Sequence, residues 1–171
     1  IGNSYSPNFK KNILANEKKI NKKANFFQVL VPGSYYPHKN LERIISSLIY
    51  IKNNQNFNNQ FKVVFTIPEN SDEWGNLSIL AKENGVDHFV TTVGFVENSK
   101  FAELYLQSNA IICASLVESS TAVFPEAFLA NRPLIVSDRP FAKELCEDAA
   151  IYFDPLDEKS IANAILELSG N

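Results

Sequence analysis

The sequence Ala114-Ser-Leu-Val-Glu118-Ser-Ser-Thr-Ala-Val-Phe-Pro125-Glu126-Ala-Phe128 joins an apolar strand to a helix, and the rest of the chain is arranged around it. Pro125 suits the first helical position, because an amide there has no intrahelical partner. Free backbone amides ahead of a helix favour an anion. Glu118 and Glu126, eight positions apart, add carboxylates that accept bonds from hydroxyl groups. The pattern predicts a ligand with phosphate in its middle and hydroxyls at its ends, such as a nucleotide sugar.

Short apolar runs and amphipathic segments alternate along the chain from about residue 25 onward. Ser71 and Asn98 are predicted to cap helices at their N-termini, and Gly85 is predicted to end one. Each parallel crossover needs a covering helix, so the alternation predicts an α/β fold with a Rossmann-like, doubly wound parallel sheet. The six predicted strands are Phe26–Val31, Phe61–Ile67, His88–Val93, Ala110–Cys113, Leu134–Ser137 and Ile151–Phe153. The expected strand order is 3-2-1-4-5-6.

In that order the first and fourth strands are neighbours, and ligands bind in the crevice at their carboxyl ends. The loops that leave these strands are Gly33–Lys39 and Ser115–Phe124, so Lys39 and Glu118 are expected to face one cleft. Asn40 is the expected N-cap of the helix that follows Lys39. An ammonium group there can neutralise a diphosphate and stabilise it as a leaving group.

Composition limits the classes of partner. The chain has 171 residues, of which 45% are hydrophobic and 20% charged, as in one ordinary globular domain. A net charge of -3 does not favour a nucleic-acid partner, which usually requires a basic face. No apolar run reaches the roughly 18 residues that span a bilayer, and no signal peptide is evident. The chain contains no methionine, so we expect it to be part of a longer protein.

Cysteine and carboxylate spacing does not indicate a metal site. Cys113 and Cys146 lack ligand spacing, and reduced thiols are expected. Asp138, Asp148 and Asp154 are interpreted as caps and turn residues, because no Asp-x-Asp pair or histidine cluster accompanies them. We predict no metal requirement and no other cofactor.

Several motifs together resemble the C-terminal half of family 4 glycosyltransferases of the GT-B type, especially those that build bacterial surface polysaccharides such as O-antigen. The similarity extends from about Asn25 to the end of the chain. It is carried by Gly94-Phe-Val96, Phe101-Ala-Glu-Leu-Tyr105, Ile111-Ile-Cys-Ala-Ser115, Glu118, Pro125-Glu-Ala127 and Asp148-Ala-Ala-Ile-Tyr-Phe-Asp-Pro155.

The resemblance implies roles for the site residues. Glu118 would accept hydrogen bonds from the donor sugar, Glu126 would hold the ribose, and Lys39 would contact the diphosphate. Ser34 occupies the position of a second cation, an arginine, that the family usually has. The remaining donor-binding residues implied by position are Gly33, His38, Gly94, Phe95 and Val96 beside the base and phosphates, and Ser119, Ser120, Thr121, Ala122 and Val123 in place of a glycine-rich loop.

The resemblance also implies a domain division and partners. Residues 1–24, which carry paired lysines, are interpreted as a solvated interdomain linker, with a lysine patch on anionic lipid as the alternative. Residues 25–171 would form the donor domain of a retaining hexosyl- or N-acetylhexosaminyltransferase. A UDP-sugar is the favoured donor, and the absent partner is an N-terminal acceptor domain. The acceptor is a lipid-linked or oligosaccharide molecule.

Two other classes of function are open at this stage. The same half-fold occurs in nucleotide-sugar epimerases and in phosphorylases, whose acid/base residues or pyridoxal lysine we do not identify in the chain. A non-catalytic nucleotide-binding module is the remaining alternative. For the glycosyltransferase, we expect a cytoplasmic protein, peripheral at the inner face of the membrane, whose isolated donor half transfers no sugar.

Overall fold

The computed structural model describes residues 5–16, 26–54 and 61–169. Six parallel strands form one sheet in the order β3-β2-β1-β4-β5-β6, which confirms the expected fold class and order. The strands are β1 Phe27–Val31, β2 Phe61–Phe65, β3 Val90–Thr92, β4 Ala110–Cys113, β5 Leu134–Ser137 and β6 Ile151–Phe153. The helices are α1 Pro7–Asn16, α2 Leu41–Lys52, α3 Asp72–Glu83, α4 Asn98–Gln107, α5 Val123–Leu129, α6 Pro140–Cys146 and α7 Glu158–Ser169.

Helices cover both faces of the sheet, and its central strands supply side chains to both. In β1, Val29 and Val31 join a core with α2, α3 and α7, whereas Leu30 joins a core with α1, α4, α5 and α6. In β4, Ile112 belongs to the first of these cores and Ile111 to the second. Side chains alternate with a period of two along a strand, so continuous apolar runs mark strands that are buried on both sides. Each large side chain buried in this way contributes about 1.5–3 kcal/mol.

Several element boundaries follow local chemistry. The Ser71 hydroxyl accepts the Trp74 amide at 3.1 Å, which confirms the predicted N-cap of α3. Gly85, at φ 64°, follows the end of the same helix. Asn98 is not a cap as predicted: Glu97 holds that position and Asn98 is the first helical residue.

The predicted third strand is too long at its start. Residues Asp87–Phe89 form a 3₁₀ turn, and the strand itself is Val90–Thr92. The turn buries Phe89 edge-on against Phe61, with ring centroids 5.8 Å apart, while His88 is exposed. Burial of one aromatic ring, rather than strand pairing, therefore fixes the backbone here.

The expectation of a solvated segment over residues 1–24 is wrong for Pro7–Asn16, which form α1. Phe9 and Ile13 are buried, and four residues apart they lie on one helical face against α4. Lys10 and Lys11 are exposed on α1, whereas the other lysine pairs of this segment lie outside the described residues. The role of an interdomain linker stays a prediction. Within the described ranges, no helix has the length and apolar character needed to cross a membrane.

Candidate functional site

The candidate site lies at the carboxyl edge of the sheet, between β1 and β4. These strands are hydrogen-bonded neighbours, and their crossovers leave on opposite faces. The loop after β1 and the loop after β4 therefore begin side by side, where α/β sheets of this type hold ligands. A backbone bond joins the two loops directly, because the Leu116 amide donates to the His38 carbonyl at 2.8 Å.

Lys39 and Glu118 form an ion pair across these two loops, which confirms their expected proximity. Lys39 Nζ lies 2.5 Å from Glu118 Oε1, with side chains 19% and 9% exposed. The Ser115 hydroxyl donates to the same oxygen at 2.7 Å. Shielding from water strengthens the attraction, and loss of one partner would leave the other charge poorly solvated. The pair holds one positive and one negative group in place at the sheet edge.

The loop after β1 is fixed by hydrogen bonds at both ends. The Gly33 amide donates to the Thr66 hydroxyl at 2.8 Å, and that hydroxyl donates back to the Gly33 carbonyl at 3.0 Å. Gly33 has φ 110°, which disfavours any side chain there. Residues Pro37–Lys39 form a 3₁₀ turn that presents Lys39. Ser34 is exposed at the start of this loop.

Asn40 stands at the predicted N-cap position of α2, but its side chain does not cap the helix. Its backbone is left-handed, with φ 58°, and Nδ2 donates to the Pro155 carbonyl at 2.8 Å. The side chain is buried, so this contact to the distant loop takes precedence over capping. His38, also in this turn, is half-buried and stacks on Tyr36 with ring centroids 5.7 Å apart.

The loop after β4 ends in α5, which begins at Val123 rather than at Pro125. Pro125 is thus the third helical residue, which the helix tolerates because amides of the first turn lack intrahelical partners. Ser119, Ser120 and Ala122 are exposed. Thr121 is buried instead, and its hydroxyl accepts the Val123 amide at 3.2 Å. Among the predicted polar contacts, Ser119 and Ser120 are therefore the accessible hydroxyls.

Glu126 lines a pocket of about 270 Å³ between α1, α4 and the start of α5. Burial raises the pKa of the half-buried Glu126, and the neighbouring Tyr105 hydroxyl opposes that rise. The other lining residues are Ser6, Phe9, Asn98, Phe101 and Ala122. Lys39 and Glu118 do not line this pocket, so the structure divides the predicted site residues between two places.

Four pocket residues were missed as site residues from the sequence: Ser6, Phe9, Asn98 and Phe101. A signal existed for two of them. Phe9 with Ile13, and Phe101 with Tyr105, each show the four-residue spacing of one helical face. Each spacing indicates a buried helical face. The pocket itself forms only because segments almost 90 residues apart in sequence meet. Asn12 Nδ2, for example, donates to the Ser99 carbonyl at 2.9 Å.

The segment Gly94–Val96 leaves β3 at the same edge of the sheet. The Thr92 hydroxyl donates to the Ile67 carbonyl at 2.6 Å and accepts the Gly94 amide at 3.0 Å. Gly94 has φ 73°, and Phe95 is 78% exposed. Thr92 thus fixes the path of this segment while the side chain of Phe95 stays in solvent.

No group of three or more histidine, cysteine, aspartate and glutamate side chains lies close enough to hold a metal ion in residues 5–16, 26–54 and 61–169. Cys113 and Cys146 are buried free thiols. The absence of a metal requirement stays a prediction.

Comparison with known proteins identifies the family. A family model described as "Glycosyl transferases group 1" matches residues 12–171. The O-antigen chain mannosyltransferase RfbU of Salmonella typhimurium is 29% identical over 143 residues, which are 84% of this chain and 38% of that protein.

Many solved structures share the fold, among them the following two. Sucrose-phosphate synthase of Thermosynechococcus elongatus has a TM-score of 0.77 at 21% identity, over 99% of this chain and 42% of that one. HepE of Anabaena, in complex with UDP and glucose, has a TM-score of 0.73 at 20% identity, over 98% and 44%. The chain therefore spans less than half the length of these relatives. Because the family model covers residues 12–171, this chain belongs to the glycosyl transferases group 1 family.

Proposed function

We propose that this chain is the donor-binding half of a retaining glycosyltransferase that acts in bacterial surface polysaccharide synthesis. The donor is a nucleotide diphosphate sugar, with UDP favoured over GDP, and the acceptor is a lipid-linked or oligosaccharide molecule. Family membership supports sugar transfer, and the similarity to an O-antigen mannosyltransferase supports the biological setting. The UDP held by HepE, which has the same fold, supports the choice of base.

The observation that carries the proposal is the ion pair of Lys39 and Glu118, 2.5 Å apart where β1 and β4 meet. The pair places a cation and a hydrogen-bond acceptor at the position where this class of fold binds nucleotides. A diphosphate requires the cation, and sugar hydroxyls require the acceptor. Lys39 supplies the cation and Glu118 supplies the acceptor, and the two side chains are in contact.

Lys39 and Glu118 have complementary roles in this proposal. Lys39 neutralises the diphosphate and stabilises the charge that develops on the nucleotide as the bond to the sugar breaks. Ser115 and Lys39 both contact Oε1 of Glu118, and Oε2 accepts hydrogen bonds from the sugar hydroxyls. Because the diphosphate competes with Glu118 for the ammonium, donor binding exchanges one ionic contact for another.

The remaining contacts hold the nucleoside and the phosphates. Glu126 accepts the ribose hydroxyls, and Gly94–Val96 offer backbone groups to the base. The exposed residues Ser119 and Ser120 add amide and hydroxyl donors to the phosphate oxygens. Gly33 and His38 border the same edge, and Ser34 replaces a cation with a neutral hydroxyl. The site then neutralises the diphosphate with one lysine and several neutral donors.

Sugar transfer requires the partner domain. Closure of two domains around the donor aligns the acceptor hydroxyl with the anomeric carbon and excludes water. We propose that an N-terminal domain of the same full-length protein supplies the acceptor side. We expect the full-length protein to be cytoplasmic and to meet its acceptor at the inner face of the membrane.

The test is saturation-transfer NMR of the chain with UDP-, GDP- and ADP-sugars. We expect the strongest signal from a UDP-sugar, with saturation on both the ribose and the sugar ring. Absence of binding by all three donors would contradict the proposal and favour a non-nucleotide role. Binding followed by conversion of the donor to its epimer would indicate an epimerase instead.

A further inference from the structure

The hydroxyl group of Tyr105 is buried beside the Glu126 pocket. Tyr105 has no exposed surface, and its Oη has no hydrogen-bond partner within the described ranges. Native proteins leave few buried polar groups unsatisfied, and the exceptions often serve a function. A phenylalanine would fill the same space without this unsatisfied group. The hydroxyl therefore requires an explanation other than packing.

The position of Tyr105 connects it to the pocket. Its ring meets Phe9 edge-on, with centroids 5.3 Å apart, and Phe101 lies one turn earlier on α4. Phe9 and Phe101 both line the pocket. The Tyr105 hydroxyl is close enough to Glu126 that each group influences the other's pKa. The hydroxyl thus lies behind the pocket wall and beside its carboxylate.

We propose that Tyr105 is a positioning residue, whose hydroxyl donates a hydrogen bond to the Glu126 carboxylate and orients it toward the ribose hydroxyls of the bound nucleotide. This inference rests on the proposed function, because it assigns the ribose to Glu126. Tyr105 does not touch the ligand itself. A carboxylate with two oxygens can accept from the tyrosine and from the ribose at the same time.

The protonation of both groups fits this arrangement. Burial raises the pKa of Tyr105 well above its ordinary value, and Glu126 raises it further, so the hydroxyl remains a donor. Burial raises the pKa of Glu126, and the tyrosine contact lowers it. Tyr105 therefore helps to keep the carboxylate charged inside a partly apolar pocket.

Other charged groups around the pocket do not replace this contact. Burial raises the pKa of the Cys113 thiol on β4, which therefore stays protonated. The Arg132 guanidinium is held by the carbonyls of Tyr105 and Leu106. The charged side chains on α1 and α4 are all exposed, namely Lys10, Lys11, Lys100 and Glu103.

The main test compares Tyr105→Phe with the wild-type chain in calorimetric titrations with UDP between pH 4.5 and 8. At pH 8 we expect the variant to bind about three- to tenfold more weakly, the scale of one hydrogen bond. Loss of the tyrosine contact also raises the pKa of Glu126 further. The acid limb of the affinity profile is therefore expected to move to higher pH, an effect that lost packing alone does not produce.

Ser137→Ala is the matched control, because it removes another buried hydroxyl without a partner in the described residues, on β5 and outside the pocket lining. We expect it to leave the pH profile unchanged. An acid limb at the same pH in Tyr105→Phe and wild type overturns the role of Tyr105 while the proposed function stands. Failure of the wild-type chain to bind UDP overturns both.

A second measurement does not require Tyr105→Phe to fold. In protein labelled at tyrosine Cζ, the Tyr105 hydroxyl proton is expected to move downfield when UDP binds to the wild-type chain. In Glu126→Ala, saturated with UDP at higher concentration, we expect no such movement. Equal movement in both proteins would show that the hydroxyl finds another partner and would contradict the inference.

Discussion

Two regions of the candidate site differ in how many hydrogen bonds the protein itself supplies to their polar groups. One is the sheet edge with Lys39 and Glu118, and the other is the pocket that Glu126 lines. At the edge, Glu118 already accepts from Lys39 and Ser115. In the pocket, Glu126 is half-buried between phenylalanine side chains, and the adjacent Tyr105 hydroxyl lacks a partner in the part of the chain described. The proposed donor would therefore exchange contacts at the edge, whereas in the pocket it would add contacts.

If the proposed donor binds here, the two regions respond to different parts of one ligand. Contacts at the edge depend on charge and therefore on phosphate and on salt. Contacts in the pocket depend on burial and on hydroxyl groups, which a nucleoside supplies without phosphate. Separate ligand fragments therefore test each region alone.

The largest effect is expected for turnover, which tests both regions at once. The chain of 171 residues is expected to bind a UDP-sugar with a Kd of about 0.1–1 mM, or about 4–5.5 kcal/mol, and to transfer no sugar to any acceptor. Product analysis by mass spectrometry checks this expectation. Addition of the proposed N-terminal domain should restore transfer with retention at the anomeric carbon. Transfer by the chain alone would mean that it contains an acceptor site and a base that we have not identified.

The wall of the pocket is tested by Phe9→Ala. Truncation of this buried side chain is expected to lower the free energy of unfolding by about 3–5 kcal/mol, measured by urea denaturation, because it leaves a cavity against Tyr105. Leu14→Ala on the same helix is the control, since Leu14 is 65% exposed and should change stability by less than about 0.5 kcal/mol. Equal effects of the two substitutions would show that α1 does not pack on the domain in solution.

The edge is tested by Lys39→Ala. We expect the affinity for UDP to fall by about 2–3 kcal/mol, the upper range for contacts to a charged group, and the affinity for uridine to change little. Rising salt should reduce the difference between the proteins. Lys143→Ala removes the same charge from an exposed ion pair with Asp138 and serves as control. A similar loss for UDP and uridine would indicate a general disturbance of the loop.

The ribose contact is tested by Glu126→Ala. Its expected loss of affinity, about 1.5–2 kcal/mol, should be the same for UDP and for uridine, because the contact does not involve phosphate. Calorimetry with both ligands, and with 2′-deoxyuridine as a third, measures the loss. Unchanged affinity for all three would assign Glu126 to the helix start alone.

The smallest effect is expected on the stability of the unliganded protein. Glu126→Gln should raise the free energy of unfolding only slightly at neutral pH, because solvent screens the charge of this partly exposed side chain. Burial raises the pKa of Glu126 above 4.5 in the folded state, so folding disfavours its charged form. As the pH falls through that raised pKa, the wild-type protein becomes more stable relative to the variant. The difference in the free energy of unfolding between Glu126→Gln and wild type therefore shrinks. Urea denaturation from pH 8 to pH 4 follows this change, with exposed Glu103→Gln as control.

The sequence predicts the central strands well because these strands are buried on both faces of the sheet. The run Ala110–Cys113 is apolar throughout, and its predicted bounds match β4 residue for residue. The meeting of Lys39 and Glu118 was predictable for the same reason, since strand order determines which loops are neighbours.

The pocket was not predictable from the same patterns. Phe9 and Ile13 stand among lysines and asparagines, and α1 becomes recognisable only when it packs on α4. Most helical stability in proteins comes from such packing rather than from intrinsic propensity. The side chain of Asn40 likewise finds Pro155, 115 positions away, which local capping patterns do not indicate. Contacts between distant segments thus account for what the sequence did not reveal.

The bond from the Leu116 amide to the His38 carbonyl has a consequence for how this site tolerates sequence change. The bond lies wholly in the main chain, so substitutions in either loop, proline at position 116 excepted, leave both of its atoms in place. Exposed side chains of either loop can therefore be exchanged without loss of the spacing between the loops. Ser34, which is exposed at the start of the loop after β1, is one such position. A library restricted to exposed positions of the two loops, such as Ser34, Ser119 and Ser120, should accordingly keep the fold while it varies the contacts to the donor.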